Sequence, residues 1–178
     1  MWLINTSTFK LKFVTEAEKG TYAVLSHTWG EDEVTFEQFR SFDLRSLDDV
    51  YQQNLFIKIA RTCELVAQYG LSYAWIDTCC IDKSSSAELS EAINSMFRYY
   101  QDAAFCIALI SDLSGLSDPA TLNLDFENQF PQCRWLTRGW TLQVSSLEYL
   151  FSPLAGFGLH CPACFPEYEL NLVLAGND

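Results

Sequence analysis

Three short apolar runs, each closed by a polar residue, constrain the fold of this chain more than any other feature. Tyr22-Ala-Val-Leu-Ser26 is β-prone and is followed at once by His27-Thr28-Trp29-Gly30, which reads as a buried strand ending in a glycine-containing loop. Tyr73-Ala-Trp-Ile76 is the second run, closed by Asp77, and Ala104-Phe-Cys-Ile-Ala-Leu-Ile110 is the third, closed by Ser111-Asp112. Helical patterns lie between them. Residues 55–69 place Leu55, Ile59, Cys63 and Val66 on one face, with Gly70 as a natural stop. Ser85 and Glu88 have capping-box spacing and open a helix over 87–100 whose Leu89, Ile93, Met96, Phe97 and Tyr100 share a face. Strands alternating with helices imply an α/β fold with parallel pairing of strands at 22–26, 73–77 and 104–110. Residues 114–131, with Gly, Pro, Asn and Asp, read as a loop region.

The 178 residues fit one domain, and 49% hydrophobic and 15% aromatic residues are enough to bury a core. A net charge of −12 argues against a nucleic-acid groove, which needs clustered Lys and Arg, and against an anionic lipid surface. No apolar run approaches the roughly 18 residues that span a bilayer. The opening Met1-Trp2-Leu3-Ile4-Asn5-Thr6 lacks the basic stretch of a signal peptide. Seven irregularly spaced cysteines are not a disulfide framework, and Cys63 and Cys106 sit inside apolar patterns. A cytoplasmic location is expected.

In open parallel sheets ligands bind outside the carboxyl ends of the strands. That rule places Ser26, His27, Trp29, Gly30, Asp77, Cys80 and Asp82 together as candidate ligand-binding residues. Asp77 and Asp82 could bind metal, orient a ligand hydroxyl or cap the following helix. Cys79-Cys80 could supply a nucleophile paired with His27, or pack beneath the loop. His160-Cys161-Pro-Ala-Cys164 has no second ligand pair, so no metal site is expected. Neither glycine-rich phosphate loop is present. Arg134-Trp-Leu-Thr-Arg-Gly-Trp-Thr-Leu-Gln143 pairs two arginines with two tryptophans, suited to a site or to cation–π packing at a helix start. From Val144 onward the composition shifts: residues 144–178 hold none of the eleven Lys and Arg, three of the five prolines, and no helical or clean strand periodicity. They read as a poorly packed tail.

Three blocks, in order, resemble the fungal heterokaryon incompatibility (HET) domain family. They are Tyr22-Ala-Val-Leu-Ser-His-Thr-Trp-Gly-Glu-Asp-Glu-Val34, Trp75-Ile-Asp-Thr-Cys-Cys-Ile-Asp-Lys-Ser-Ser85 and Arg138-Gly-Trp-Thr-Leu-Gln143. The resemblance covers residues 1–143, leaving 144–178 as an atypical tail. It implies a module that triggers cell death when unlike hyphae fuse, working through self-association or through other domains of a death-signalling protein. HET domains are in turn similar to TIR domains, which implies a TIR-like (flavodoxin-like) parallel sheet flanked by helices and adds Trp140 and Gln143 to the candidate site. Several TIR domains hydrolyse NAD with a glutamate. The HET pattern places a glutamate after Gln143, where this chain has Val144. NAD is then a substrate of intact members, with no resident cofactor, and the chain as written is expected to be inactive. The alternatives are a non-enzymatic self-associating module and a truncated product without a role. Val144-Ser145 is also what an in-frame splice donor encodes, so the tail is expected to be translated wholly or largely from a retained intron or a mis-called gene model, the alternative being a genuinely diverged tail.

Overall fold

A computed structural model of the chain describes residues 1–41, 50–110 and 129–137, together with the backbone of three strands at 152–154, 158–160 and 169–174. The chain is α/β and forms two compact units, one of residues 1–25 and 29–104, the other of residues 26–28 and 105–178.

The first unit holds β1 (Trp2–Asn5), β2 (Leu11–Phe13), most of β3 (Ala23–His27), α1 (Phe36–Arg40), α2 (Val50–Gln68), β4 (Tyr73–Ile76) and α3 (Ser86–Asp102). Strands β3 and β4 pair in parallel through Ala23↔Ala74, Val24↔Trp75 and Leu25↔Ile76, as expected. The sheet is mixed, not purely parallel. β1 runs antiparallel to β4 through Ile4↔Ala74 and antiparallel to β2 through Leu3↔Lys12. The hairpin between β1 and β2 is built on Asn5, whose Oδ1 accepts from the backbone of Ser7 and Thr8 and from the Thr8 hydroxyl. Phe9 completes that turn at a φ of 54°. Short strands of four and three residues carry too little alternation to be read from sequence.

Every residue of β3 is buried, the pattern of a strand covered on both faces. The core gathers Ile4, Val24 and Leu25 with Trp75 and Ile76, and α2 adds Ile59, Cys63 and Val66 as its spacing predicts. The side chain of Leu55 lies outside the described residues. Helix α2 begins at Val50, five residues earlier than expected, and ends just before Gly70, whose φ of 77° only glycine adopts freely.

Helix α3 is capped by Ser85, whose hydroxyl accepts from Glu88 N. The Glu88 carboxylate turns instead to Asp82 N, so the box is half made. The buried face is Ala92, Met96 and Tyr99, and here the expected apolar stripe is corrected: Ile93 and Phe97 are each 43% exposed. Tyr99 packs edge-on against Trp75 and its carbonyl accepts from the Tyr22 hydroxyl at 2.7 Å, which fixes the rotation of the helix. An additional short helix, α1, follows a full capping box between Thr35 and Gln38.

The second unit holds the end of β3, β5 (Phe105–Ile110), two 3-10 turns at Phe130–Gln132 and Arg134–Thr137, and β6 (Ser152–Leu154), β7 (Gly158–His160) and β8 (Glu169–Leu174). β8 pairs parallel to β5 over five positions, from Cys106↔Leu170 to Ile110↔Leu174. β7 runs antiparallel to β8 and β6 antiparallel to β7. The reading of the tail as lacking strands is therefore corrected. Leu170, Leu172 and Leu174 do alternate with Glu169 and Asn171, a signal carried by too few residues to stand out. The expected loop at 114–131 falls mostly outside the described residues, as does the expected boundary at 143/144. Among the described residues no helix is long and apolar enough to cross a membrane.

Candidate functional site

In the first unit the chemistry gathers just past the ends of β3 and β4. Asp77 follows the last paired residue of β4, and Trp29 lies two residues beyond β3. The Trp29 indole Nε1 donates to Asp77 Oδ2 at 2.9 Å, spanning 48 positions of sequence. Lys83 Nζ stands 4.1 Å from the centroid of the same ring, on its face. The indole is thus held at its edge by a carboxylate and covered by an ammonium, yet it stays 41% exposed. Gly30 N donates to Glu33 Oε1 at 2.8 Å, and Glu33 pairs through its other oxygen with Lys58, so the loop after Trp29 is tied to α2.

Asp82 shapes the turn that presents Lys83. Its Oδ1 accepts from Ser84 N at 2.9 Å and from Ser84 Oγ at 2.6 Å. These bonds hold its carboxyl below the usual carboxylate range. The cap of α3 is Ser85 and not Asp82, whose described geometry is that of a turn former at the entry to the helix. Cys79 and Cys80 are buried at 0% and 2% exposure, with Ile76 N donating to Cys80 Sγ at 3.4 Å and Cys79 Sγ donating to Ile76 O at 3.9 Å. Burial, then the hydrogen bond with Cys80, pushes the Cys79 thiol well above its ordinary range, so it stays protonated. This is packing beneath the loop. A cavity of about 260 Å³ opens beside α3 and is lined by Trp75, Glu88 and Tyr99 among others; of the expected site residues that are described, only Cys80 reaches it.

In the second unit Ser26, His27 and Thr28 are buried, at 2%, 8% and 9% exposure. Trp135 Nε1 donates to Ser26 Oγ at 3.0 Å across 109 positions of sequence. Trp135 is itself 1% exposed, so the serine hydroxyl is fixed by a buried indole. The arginine–tryptophan block is visible in the sequence, but nothing local links Trp135 to Ser26 across 109 positions. Trp140, Gln143 and Val144 lie outside the described residues. The structure thus joins Trp29 with Asp77 directly, and Ser26 with Trp135, each pair within its own unit. Among the described residues no group of three or more His, Cys, Asp or Glu side chains could hold a metal ion.

One family match takes in the Trp29–Asp77 cluster and Ser26, and ends before Trp135. The family described as Heterokaryon incompatibility protein (HET) matches residues 22–129, well over half of the chain. The chain belongs to the HET family. The HET match takes in the first two sequence blocks, with Ser26, Trp29, Asp77 and Lys83, and ends short of the block beginning at Arg138. The chain is also 45% identical over 141 residues to the Vegetative incompatibility protein HET-E-1 of Podospora anserina, covering 77% of this chain and 10% of that protein. It therefore spans about a tenth of that relative's length. No solved structure matches the chain.

Proposed function

We propose that this HET chain is the signalling module of a vegetative incompatibility protein and that, as written, it acts without cleaving NAD. The observation that carries the role is its 45% identity over 141 residues to a protein named for vegetative incompatibility. The non-catalytic reading rests on Val144. In the TIR-like mechanism the glutamate expected after Gln143 would stabilise the oxocarbenium character that builds as the nicotinamide bond breaks. Removing such an anion typically costs about 3 kcal/mol or more, a factor of about a hundred in rate. A valine supplies no charge, and without turnover the module signals by association with its own kind or with other domains of a longer protein. Intact counterparts that carry the glutamate are the NAD-cleaving form in this reading, and the tail from Val144 is the translation of a retained intron.

The test expresses the chain in a filamentous fungus and measures growth arrest, beside nicotinamide release by purified protein. Arrest without nicotinamide release is the expected result. The same assays on a transcript spliced after codon 143, with glutamate following Gln143, are expected to show release. Equal and robust turnover by both forms would refute the glutamate assignment, and absence of arrest by both would refute the incompatibility role.

A further inference from the structure

We infer that the cavity beside α3 is a binding site for a small aromatic amine, its ammonium at Glu88 and Glu91 and its ring among the aromatic walls. The cavity lies wholly within the first unit and shares no residue with the cluster of Trp29, Asp77 and Lys83. The inference goes beyond the incompatibility role and does not require it.

Size comes first. A dry apolar cavity of about 150 Å³ takes a benzene ring. At about 260 Å³ this one has room for on the order of ten heavy atoms, a single ring with a short tail.

The walls set the shape. Trp75 and Tyr99, at 0% and 7% exposure, form the deep side, while Phe13, 53% exposed, stands at the mouth. Trp2 packs edge-on against Phe13 with ring centroids 5.1 Å apart, so the mouth is ordered before a guest arrives. Trp75 also carries an indole N–H that has no hydrogen-bond acceptor among the described residues. A buried donor without an acceptor is uncommon, and an oxygen on the guest supplies one.

Charge selects the guest. The lining holds two carboxylates, Glu88 and Glu91, and no lysine or arginine. Glu91 is exposed and makes no hydrogen bond or ion pair among the described residues. Glu88 accepts from Asp82 N through one oxygen, Oε1. The α-ammonium of Met1, at the same wall, donates to Val14 O at 2.8 Å. Burial lowers its pKa, and Glu91 and Glu88 oppose that fall, so the wall favours positive charge. Two carboxylates and one ammonium leave one negative charge, the complement of a monocation. A hydroxylated arylalkylamine supplies the ring, the ammonium and the oxygen together.

The experiment is calorimetric titration of the full chain with tyramine, with phenethylamine, which lacks the hydroxyl, and with 4-ethylphenol, which lacks the amine. Tyramine is expected to bind saturably, about tenfold or more tightly than 4-ethylphenol and about threefold or more tightly than phenethylamine. Glu88→Gln combined with Glu91→Gln removes both charges and keeps an acceptor for Asp82 N. This pair is expected to bring tyramine within about threefold of 4-ethylphenol, whose own affinity stays unchanged. Ala87 is exposed on α3 and belongs to the lining, so Ala87→Phe should fill the cavity and abolish binding of all three compounds. Thermal unfolding of each variant accompanies the titrations, and the glutamine pair decides the matter even where Ala87→Phe fails to fold. No saturable tyramine binding by the wild type, or a tyramine-to-4-ethylphenol ratio that the glutamine pair leaves unchanged, would overturn the inference. Equal affinity for tyramine and phenethylamine would overturn the part assigned to Trp75. Growth arrest in the fungus reads none of these quantities, so loss of the incompatibility reading and loss of this one are separable results.

Discussion

At Ser26 the hydroxyl oxygen and the Trp135 indole satisfy each other inside a nearly dry environment. Ser26→Ala leaves that indole proton without its acceptor and is expected to cost about 1–3 kcal/mol, while Trp135→Ala is expected to cost about 3–5 kcal/mol. Urea unfolding measures both. Ser26 was legible from sequence because a strand end announces itself locally; its partner, 109 positions away, was not. The buried thiols make a second case. Burial pushes Cys63 from an ordinary 9.0 up to about 12. Cys106 is pushed to about 12 by burial as well, partly opposed by the backbone N–H of Ser26. A folded-state value above the unfolded one gives stability that is complete below pH 9 and is lost as pH rises toward 12. Each such thiol is expected to contribute a fall of about 1.4 kcal/mol per pH unit across that window. Chemical denaturation from pH 8 to 11 checks the slope, and Cys63→Ala should reduce it.

Among the elements, α3 separates pattern from packing. Its apolar positions form a stripe wider than the surface it meets, so the sequence could not say which half would be buried. The Trp75–Tyr99 contact and the Tyr22 hydroxyl decide it, turning Ala92, Met96 and Tyr99 inward. Met96→Ala is accordingly expected to cost about 2–5 kcal/mol, whereas Phe97→Ser should stay within about 0.5 kcal/mol of the wild type. Thermal or urea unfolding of the two variants distinguishes this face from the broader stripe. The strands show a similar limit. β3, β4 and β5 are apolar on both faces and stood out as continuous runs. β1 and β2 are too short for their pattern to be distinguished from chance, and they bring the antiparallel pairing that local sequence does not announce.

For the molecule as a whole, the α/β class was legible because alternating element types leave few ways to cover a sheet. The site was legible only as a row of strand ends: Trp29 and Asp77 meet as that rule suggests, and Lys83 joins them because Asp82 turns the chain there. The strands after residue 150 were not legible, since prolines and glycines mask three- and six-residue segments. In the second unit β8 lies along β5 over five register pairs. A chain shortened to residues 1–143 therefore leaves an edge of β5 without that neighbour, and unpaired edges invite association between chains. Light scattering is expected to show faster aggregation of the shortened chain than of the full one at equal concentration.

The thiols beneath the loop after β4 bear on how such a chain meets a stressed cell. Oxidants attack accessible thiolates; Cys63 and Cys79 stay protonated at 0% exposure, and Cys80 is only 2% exposed. These three sulfurs should pass through a burst of peroxide unchanged while the fold holds. Their oxidation would mark a chain that had already opened, a record of damage rather than a sensor of it.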